Sequence, residues 1–253
     1  LRRHGFDGTI LPINPRATEI LGEPAYPSLD DAPGPIDHAF ILLGADRVEE
    51  AIAACARRRV PVATVLADGF AETGAAGAAR QARLLAAARA GGVRLMGPNC
   101  IGMINVTART ALSVNAVLAM EPPLPVGRTA VISHSGSLIG AILSRGAARG
   151  LGYSVLAATG NEADLGAADL LALLAEDEAT DVIALFLETI RDPGGLRAAA
   201  GRAFAAGKAV IALGHWASER PVLPSLARRI GEKLPGLNVQ VSQADRDVWA
   251  AVR

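Results

Sequence analysis

Short apolar runs rich in Val, Ile and Ala alternate along the chain with longer Ala-, Leu- and Arg-rich stretches of helical period. This alternation is typical of a parallel sheet covered by helices, so the predicted fold class is α/β with mainly parallel sheets. In the first half, the pattern predicts strands near residues 9–13, 38–43, 62–66 and 93–96 and helices near residues 46–58 and 75–90.

Three prolines, Pro122, Pro123 and Pro125, interrupt the alternation, and their fixed φ angles make regular structure improbable there. We therefore expect a first domain over residues 1–121 and a second over 127–219. In the second half, the pattern predicts strands at 129–133, 153–158, 182–187 and 209–213. It predicts helices at 136–149, 166–175 and 194–206. Residues 220–253 form an unassigned tail with an amphipathic helix at 226–231 and a strand at 237–241.

Composition narrows the classes of function. The chain has 253 residues, 51% of them hydrophobic, which is enough for two ordinary domains. Its 25 basic and 25 acidic residues cancel, so neither nucleic acid nor an anionic membrane is an expected partner. The 2 cysteines and 4 histidines form neither a disulfide framework nor a metal-binding spacing. No apolar run approaches the roughly 18 to 20 residues of a membrane span, so we expect a soluble, cytoplasmic protein.

The loops that follow the strands should carry the chemistry. Right-handed crossovers place these loops along one edge of each sheet, where open α/β sheets bind ligands. The loops expected at these edges are residues 14–17, 44–46, 67–74, 97–102, 133–137, 159–164 and 188–193.

The turn at residues 97–102 combines a proline, a side-chain amide at Asn99 and two permissive glycines. Such a turn lets the backbone approach a ligand closely, although a bend that only links two domains fits equally well. Cys100 has no charged neighbour in sequence, which disfavours a nucleophilic role.

A Ser-rich turn follows the strand predicted at residues 129–133. Its hydroxyls and amides, at Ser133, Ser135 and Gly136, precede a predicted helix, whose N-terminus favours a phosphate. An ordinary serine cap is the alternative. A nucleophile elbow is disfavoured because Gly-x-Ser-x-Gly requires a glycine where Ile132 or Ser133 stands.

Four further residues carry charge in loops after predicted strands. Arg16 follows the strand at 9–13 as a cation suited to a phosphate, or it is a solvated turn residue. Asp68 and Glu72 are carboxylates that can bind a ligand or cap the next helix. Glu188 directly follows the strand at 182–187 and can orient a histidine ring, or it is a cap or a salt-bridge partner.

Together these motifs resemble the nucleoside-diphosphate-forming acyl-CoA synthetases, which include the α subunit of succinyl-CoA synthetase and the ADP-forming acetate–CoA ligases. The likeness runs from residue 4 to about residue 213. Several separate motifs in family order carry it, at residues 5–16, 69–72, 97–102, 133–138, 160–164 and 186–188.

The resemblance implies a Rossmann-like CoA-binding domain followed by a flavodoxin-like ligase domain. In the family, a phosphorylated histidine on a mobile loop relays phosphate between an acyl phosphate and a nucleotide held by an ATP-grasp module. The implied partners are CoA, a small carboxylic acid, ATP or ADP with Mg, and an ATP-grasp domain or β-type subunit, in an oligomer. The implied CoA-site residues are Arg16, Leu43, Ala45, Ala67, Asp68, Asn99 and Cys100.

The resemblance also assigns the phosphoryl site. Ser133, Ser135 and Gly136 would hold the phosphoryl group, and Glu188 would position the phosphohistidine. His134 stands where the family commonly has Gln or Arg, at the start of the phosphate-holding helix, so we do not expect it to be the relay residue.

The chain departs from the family pattern at three places, one of which is the tail at residues 220–253, which matches no part of that pattern. The chain also starts after the family's first strand and Gly-rich turn, so we expect a missing upstream segment. The family's Gly-His or Ser-His pair is followed by small residues, whereas here Trp216 follows His215 and the pair arrives early. His215 is the best candidate for the relay histidine, and an ordinary loop histidine or a degenerate relay loop is the alternative.

Three functions therefore compete. The first is the α-type part of an acyl-CoA synthetase. The second is a noncatalytic CoA-binding or regulatory module that lost its relay histidine. The third, a nicotinamide oxidoreductase, rests only on fold analogy, and no Gly-x-Gly-x-x-Gly turn followed by an acidic residue supports it.

Overall fold

The structure is a computed structural model that describes residues 1–120, 123–214 and 220–242. Its first strands, β1 (Glu19–Ile20) and β2 (Glu23–Pro24), form a small antiparallel hairpin. The prediction of a strand at residues 9–13 was wrong, because only Ile13 makes a bridge there, with Tyr26. Proline at position 12 has no amide hydrogen to extend a ladder, so the segment makes a single bridge instead of a sheet strand.

The first sheet contains three parallel strands in the order β3, β4, β5. They are β3 (His38–Ile41), β4 (Val62–Val65) and β5 (Arg94–Met96), and the crossovers between them are helices α1 (Ala45–Arg57) and α2 (Ala75–Ala90). The predicted bounds of these five elements differ from the observed ones by at most two residues. The core of this half is a cluster of buried apolar side chains that includes Val48, Ile52, Phe70, Leu84 and Leu95.

In the described part of the chain, the second sheet has six strands in the order β11, β10, β8, β9, β6, β7. In chain order they are β6 (Gly102–Asn105), β7 (Thr110–Ser113), β8 (Val126–Ser133), β9 (Tyr153–Ala158), β10 (Val182–Leu187) and β11 (Ala209–Gly214). The four strands β8 to β11 are parallel, and the hairpin of β6 and β7 adds to β9 in antiparallel orientation. The predicted α/β class with mainly parallel sheets is confirmed.

The described part of the second half contains four helices: α3 (Gly136–Ala147), α4 (Ala167–Glu176), α5 (Pro193–Ala205) and α6 (Leu223–Lys233). Helix α3 packs on β8 and β9, whereas α4 packs on β8, β10 and α5. The expected strand at 237–241 does not form, since these residues have no ladder partner in the described part of the chain. Among the described residues, no helix combines the length and apolar character needed to cross a bilayer.

The two halves are joined by more than the connecting chain. Met96 in β5 forms a parallel bridge with Leu165, and the Leu165 amide donates to the carbonyl of Leu95 at 2.9 Å. The hairpin of β6 and β7 precedes the proline segment but lies in the sheet of the second half. The domain bounds of 1–121 and 127–219, with a tail at 220–253, stay a prediction.

Candidate functional site

A cleft of about 430 Å³ lies where the two halves meet. The turn after β5 and the loops after β8, β9 and β10 converge on it, as parallel strands with right-handed crossovers predict. Among the described residues, no side chain in its lining is both apolar and larger than alanine; these lining residues are Ala71, Glu72, Asn99, His134, Gly160, Asn161, Glu162, Glu188, Thr189 and Arg191.

The loop after β9 lies directly on the turn after β5. The Asn161 amide donates to the carbonyl of Pro98 at 2.9 Å, and the Ala163 amide donates to that of Gly97 at 2.9 Å. A Cβ at Gly160 would lie 2.3 Å from the Pro98 carbonyl oxygen, and Gly160 has a φ of 59°. Only glycine permits this approach, so the floor of the cleft depends on it.

A cluster of amides and one carboxylate forms one wall of the cleft. The side-chain amide of Asn161 donates to Glu72 and, at 3.0 Å, to Gln81 Oε1. Asn99 donates to Asn161 Oδ1 at 3.3 Å, and Glu72 Oε1 accepts the Phe70 amide at 2.9 Å. Burial alone would raise the pKa of Glu72, but the donors from Asn161 and the backbone outweigh it and lower that pKa. Glu72 is therefore an ionised group of this wall.

His134 also lines the cleft, and its side chain is 8% exposed. Its Nδ1 accepts the backbone N–H of Glu188 at 3.0 Å. Its buried Nε2 lies 3.1 Å from Glu162 Oε1, although the N–H does not align well enough to form a hydrogen bond. Because Nδ1 uses its lone pair to accept, the neutral ring carries its proton on Nε2, toward Glu162.

Glu162 lies beneath this ring and is 7% exposed. Its Oε1 accepts the Ala167 amide at 2.8 Å, at the N-terminus of α4, and Arg191 donates to its backbone carbonyl at 2.7 Å. Burial would raise the pKa of Glu162, but the contact with His134 and the Ala167 amide hold it below its ordinary value. The cleft therefore places an ionised carboxylate beside an imidazole N–H.

The structure gives the Ser-rich turn an internal set of hydrogen bonds. Ser133, which is fully buried, donates from Oγ to the Ser135 carbonyl at 2.9 Å and accepts the Ser135 amide at 3.0 Å. Ser135 Oγ accepts the Leu138 amide at 3.4 Å and thus caps α3. A Cβ at Gly136 would lie 2.5 Å from the Ile101 side chain. Ser133, Ser135 and Gly136 do not line the cleft, and their phosphoryl-binding role stays a prediction.

Three of the loops expected to hold CoA lie side by side. The Asn99 amide donates to the Ala67 carbonyl at 2.8 Å, and Ala45 Cβ is 3.5 Å from the Cβ position at Gly69. Leu43, Ala45 and Ala67 also pack against the core of the first half. Asp68 is exposed. The assignment of Leu43, Ala45, Ala67, Asp68 and Asn99 to a CoA site stays a prediction.

The last two residues expected at the CoA site are Arg16 and Cys100. Arg16 is exposed, and its amide donates to Asn14 Oδ1 at 2.9 Å in a turn that follows no sheet strand. Cys100 is 4% exposed, its Sγ lies 3.5 Å from the Val65 carbonyl, and burial raises the pKa of its thiol to about 11. Neither lines the cleft, and both assignments to CoA stay predictions.

The remaining candidates are the two expected catalytic residues. Glu188 is exposed and lines the cleft directly after β10. His215 lies outside the described residues. Within the described ranges, no group of three or more His, Cys, Asp or Glu side chains could hold a metal ion.

Sequence reasoning missed the contact between His134 and Glu162. Both residues stand in motifs that the sequence marks as strand ends, but 28 positions separate them and no spacing rule pairs them. The order of strands in the sheet brings the two residues together, because β8 lies between β9 and β10.

Comparison with known proteins matches two domain models in sequence order. Residues 1–106 match a CoA binding domain, and residues 126–221 match a succinyl-CoA ligase like flavodoxin domain. An ADP-forming acetate–CoA ligase I of Archaeoglobus fulgidus is 40% identical over 187 residues, which cover 74% of this chain and 27% of that protein. The α subunit of ADP-forming acetate–CoA ligase II of Pyrococcus furiosus is 34% identical over 185 residues, covering 73% of this chain and 39% of the subunit.

A solved structure supports the same assignment. An acetyl-coenzyme A synthetase 1 of Candidatus Korarchaeum cryptofilum, described as dinucleotide forming and solved with phosphate and ADP, has a TM-score of 0.77 and 30% identity. The match covers 94% of this chain and 49% of that one. The chain thus spans between about a quarter and a half of the relatives it matches, 27% for the first ligase and 49% for this structure. Its fold, its two domain models in order and these relatives confirm the resemblance: the chain contains a CoA binding domain and a succinyl-CoA ligase like flavodoxin domain, and it is similar to the NDP-forming acyl-CoA synthetases.

Proposed function

We propose that the chain is the α-type module of an ADP-forming acyl-CoA synthetase. The overall reaction converts a carboxylic acid, CoA and ATP to acyl-CoA, ADP and phosphate through an acyl phosphate and a phosphohistidine. An ATP-grasp domain or β-type subunit would supply the nucleotide site with Mg. CoA would bind along the edge formed by the loops after β3, β4 and β5.

The observation that carries this proposal is the cleft itself. The turn after β5 belongs to the half that matches a CoA binding domain, and the loops after β8, β9 and β10 belong to the ligase-like half. Both contribute to one cavity of about 430 Å³. A site built from both halves suits a reaction in which a thiol held by one half attacks an acyl group held by the other.

The steps assign distinct tasks to the chain. In the direction of acyl-CoA cleavage, phosphate attacks the thioester carbon, the C–S bond breaks and the acyl phosphate forms. An imidazole nitrogen of the relay histidine then attacks phosphorus, the bond to the acyl oxygen breaks, and the carboxylate leaves. His215 is the candidate acceptor, and Glu188, which lines the cleft, would orient it.

The alternative is a CoA-binding or regulatory module without catalysis. The sequence around His215 favours it, since Trp216 stands where the family has a small residue. Such a module would bind CoA and take up no phosphoryl group.

Phosphorylation by an acyl phosphate separates these functions without a nucleotide-binding partner. We expect the chain to incorporate acid-labile, base-stable label from ³²P-acetyl phosphate and to release acetate in equal amount. His215→Asn should abolish the incorporation. His4→Asn is the matched control, because His4 lies outside the cleft and binds the Leu118 carbonyl.

The outcomes are distinct. Label in the wild type that His215→Asn removes and His4→Asn retains supports the relay function. Label that survives in His215→Asn would move the acceptor to another residue. No label, together with CoA binding, would overturn the catalytic proposal in favour of the regulatory module.

A further inference from the structure

Three strands of the ligase-like half end at the cleft. His134 stands at the end of one of them and contacts the loops after the other two. It follows β8, its ring lies 3.1 Å from Glu162 in the loop after β9, and its Nδ1 accepts the Glu188 amide after β10. A second bond runs from the His134 amide to the carbonyl of Phe186 at 3.1 Å. One residue therefore holds the backbone on both sides of Leu187.

We propose that His134 is a positioning residue that fixes Glu188 at the cleft through the hydrogen bond from the Glu188 amide to Nδ1. The inference deepens the function proposed above and rests on it. β10 makes its last ladder contacts at Phe186 with β8 and at Leu187 with β11, and the Glu188 amide just beyond them donates to His134 Nδ1. Glu188 is the first residue beyond the ladder, where backbone position is no longer set by the sheet.

The ring geometry excludes a chemical role for His134 itself. A base or a nucleophile needs a free nitrogen lone pair. The Nδ1 lone pair accepts the Glu188 amide, and Nε2 carries the proton beside Glu162. Moving the proton to Nδ1 would set two N–H groups against each other. His134 thus acts through Glu188 and not on the substrate.

Glu162 completes the arrangement by favouring this form of the ring. Its carboxylate lies on the Nε2 side, where an N–H is attractive and a lone pair is not. The Ala167 amide holds the same oxygen at 2.8 Å, so the carboxylate is itself fixed. A carboxylate that orients a histidine, which in turn orients a backbone amide, gives Glu188 a defined position before any ligand binds.

The test uses one conservative and one apolar substitution of similar size. In His134→Gln, the side-chain oxygen can accept the Glu188 amide and the NH₂ group can face Glu162. His134→Leu fills a comparable volume and makes neither contact. Three readouts apply: the ¹⁵N spectrum of the His134 ring in the wild type, the hydrogen-exchange rate of the Glu188 amide, and the initial rate of label uptake from acetyl phosphate.

We expect the wild-type ring to show the neutral form protonated at Nε2. The Glu188 amide should exchange about tenfold faster in His134→Leu, as loss of one hydrogen bond of about 1.4 kcal/mol implies. The maximal rate of label uptake should fall by a similar factor with little change in the acetyl phosphate concentration at half-maximal rate. His134→Gln should recover most of both effects.

A ring protonated at Nδ1 in the wild type, or equal Glu188 exchange in the wild type and the folded Leu variant, would overturn the positioning role. If His134→Leu fails to fold, the ¹⁵N spectrum of the wild-type ring and the measurements on His134→Gln still test the positioning role. The spectrum and the exchange rates need no turnover, so a wild type that takes up no label would count against the proposed function and leave these two readouts to judge the positioning role.

Discussion

At the residue scale, Glu162 shows how the site keeps a charge where burial disfavours one. Its side chain is 5% exposed, and an uncompensated carboxylate there would become protonated. The Ala167 amide, the N-terminus of α4 and the His134 ring together reverse that tendency, so the pKa of Glu162 lies below its ordinary value of 4.5. The charge is thus a product of the fold.

This carboxylate should make stability depend on pH. A folded-state pKa below the unfolded value means that Glu162 stabilises the native state above about pH 4.5 and that this contribution is lost as the pH falls through the folded pKa. We expect Glu162→Gln to lower the free energy of unfolding by about 1 kcal/mol at pH 7 and the difference to shrink below pH 4.5. Guanidinium denaturation of both proteins from pH 7 to pH 3.5 measures it. A difference that grows on acidification would contradict the account.

At the element scale, the packing of a helix can require glycine at one position and not at another. Gly146 in α3 faces Tyr153, whose hydroxyl donates to the Ile142 carbonyl at 2.8 Å, and a Cβ at position 146 would lie 1.8 Å from that hydroxyl. Gly201 in α5 has open space around its Cβ position. The first glycine is needed for packing, and the second only lowers helix propensity.

The two glycines therefore predict opposite effects of the same change. Gly201→Ala should stabilise the protein by about 0.5 to 1 kcal/mol because alanine has the higher helix propensity. Gly146→Ala should destabilise it by about 1 to 3 kcal/mol because Tyr153 must move and its hydrogen bond breaks. Thermal or guanidinium unfolding of the two variants gives the sign of each effect. Two stabilising substitutions would show that α3 does not pack on Tyr153 as described.

The elements that sequence predicted and those it missed differ in their physical basis. The parallel strands and their crossover helices carry long apolar patterns, so their positions followed from the sequence. The hairpin of β6 and β7 was missed because its strands have four residues each, and because its place beside β9 is a tertiary choice. The strand predicted at residues 9–13 is the converse case. Its sequence has an apolar pattern, but only Ile13 makes a bridge.

At the scale of the whole molecule, Asp164 links the two halves. It is 9% exposed, accepts Arg94 Nε at 2.7 Å and accepts the Leu95 amide at 3.0 Å. Since Arg94 and Leu95 belong to β5 and Asp164 to the loop after β9, these bonds hold the first sheet against the floor of the cleft. An exposed pair elsewhere, Arg83 and Glu49 at 3.2 Å, makes no such link.

Removing the Asp164 carboxylate and removing the Glu49 carboxylate should have different effects on stability. Asp164→Ala leaves a buried amide and a guanidinium without their acceptor and should cost about 1 to 3 kcal/mol. Glu49→Ala removes only an exposed ion pair and should cost less than about 1 kcal/mol. Both are measured by guanidinium denaturation at pH 7. Equal costs would mean that the contact between the halves adds nothing to stability.

The site was predictable at the level of loops and less so at the level of atoms. Sequence placed Asn99 and Glu188 at strand ends, and both line the cleft. It could not show that Ser133 uses its hydroxyl inside its own turn or that Cys100 is buried in the core, because both depend on packing by distant residues. The resemblance to the family supplied the expected roles in CoA and phosphoryl binding, which the residue patterns alone left open.

Isothermal titration calorimetry of CoA into this chain, with NAD and ADP as parallel ligands, tests the central claim most directly. Because the loops after β3, β4 and β5 form the proposed CoA site, the account predicts saturable 1:1 binding of CoA and no heat from NAD. Glu49→Ala is the matched control and should bind as the wild type does. NAD binding in place of CoA, or no CoA binding by the folded chain, would contradict the assignment of this edge to CoA.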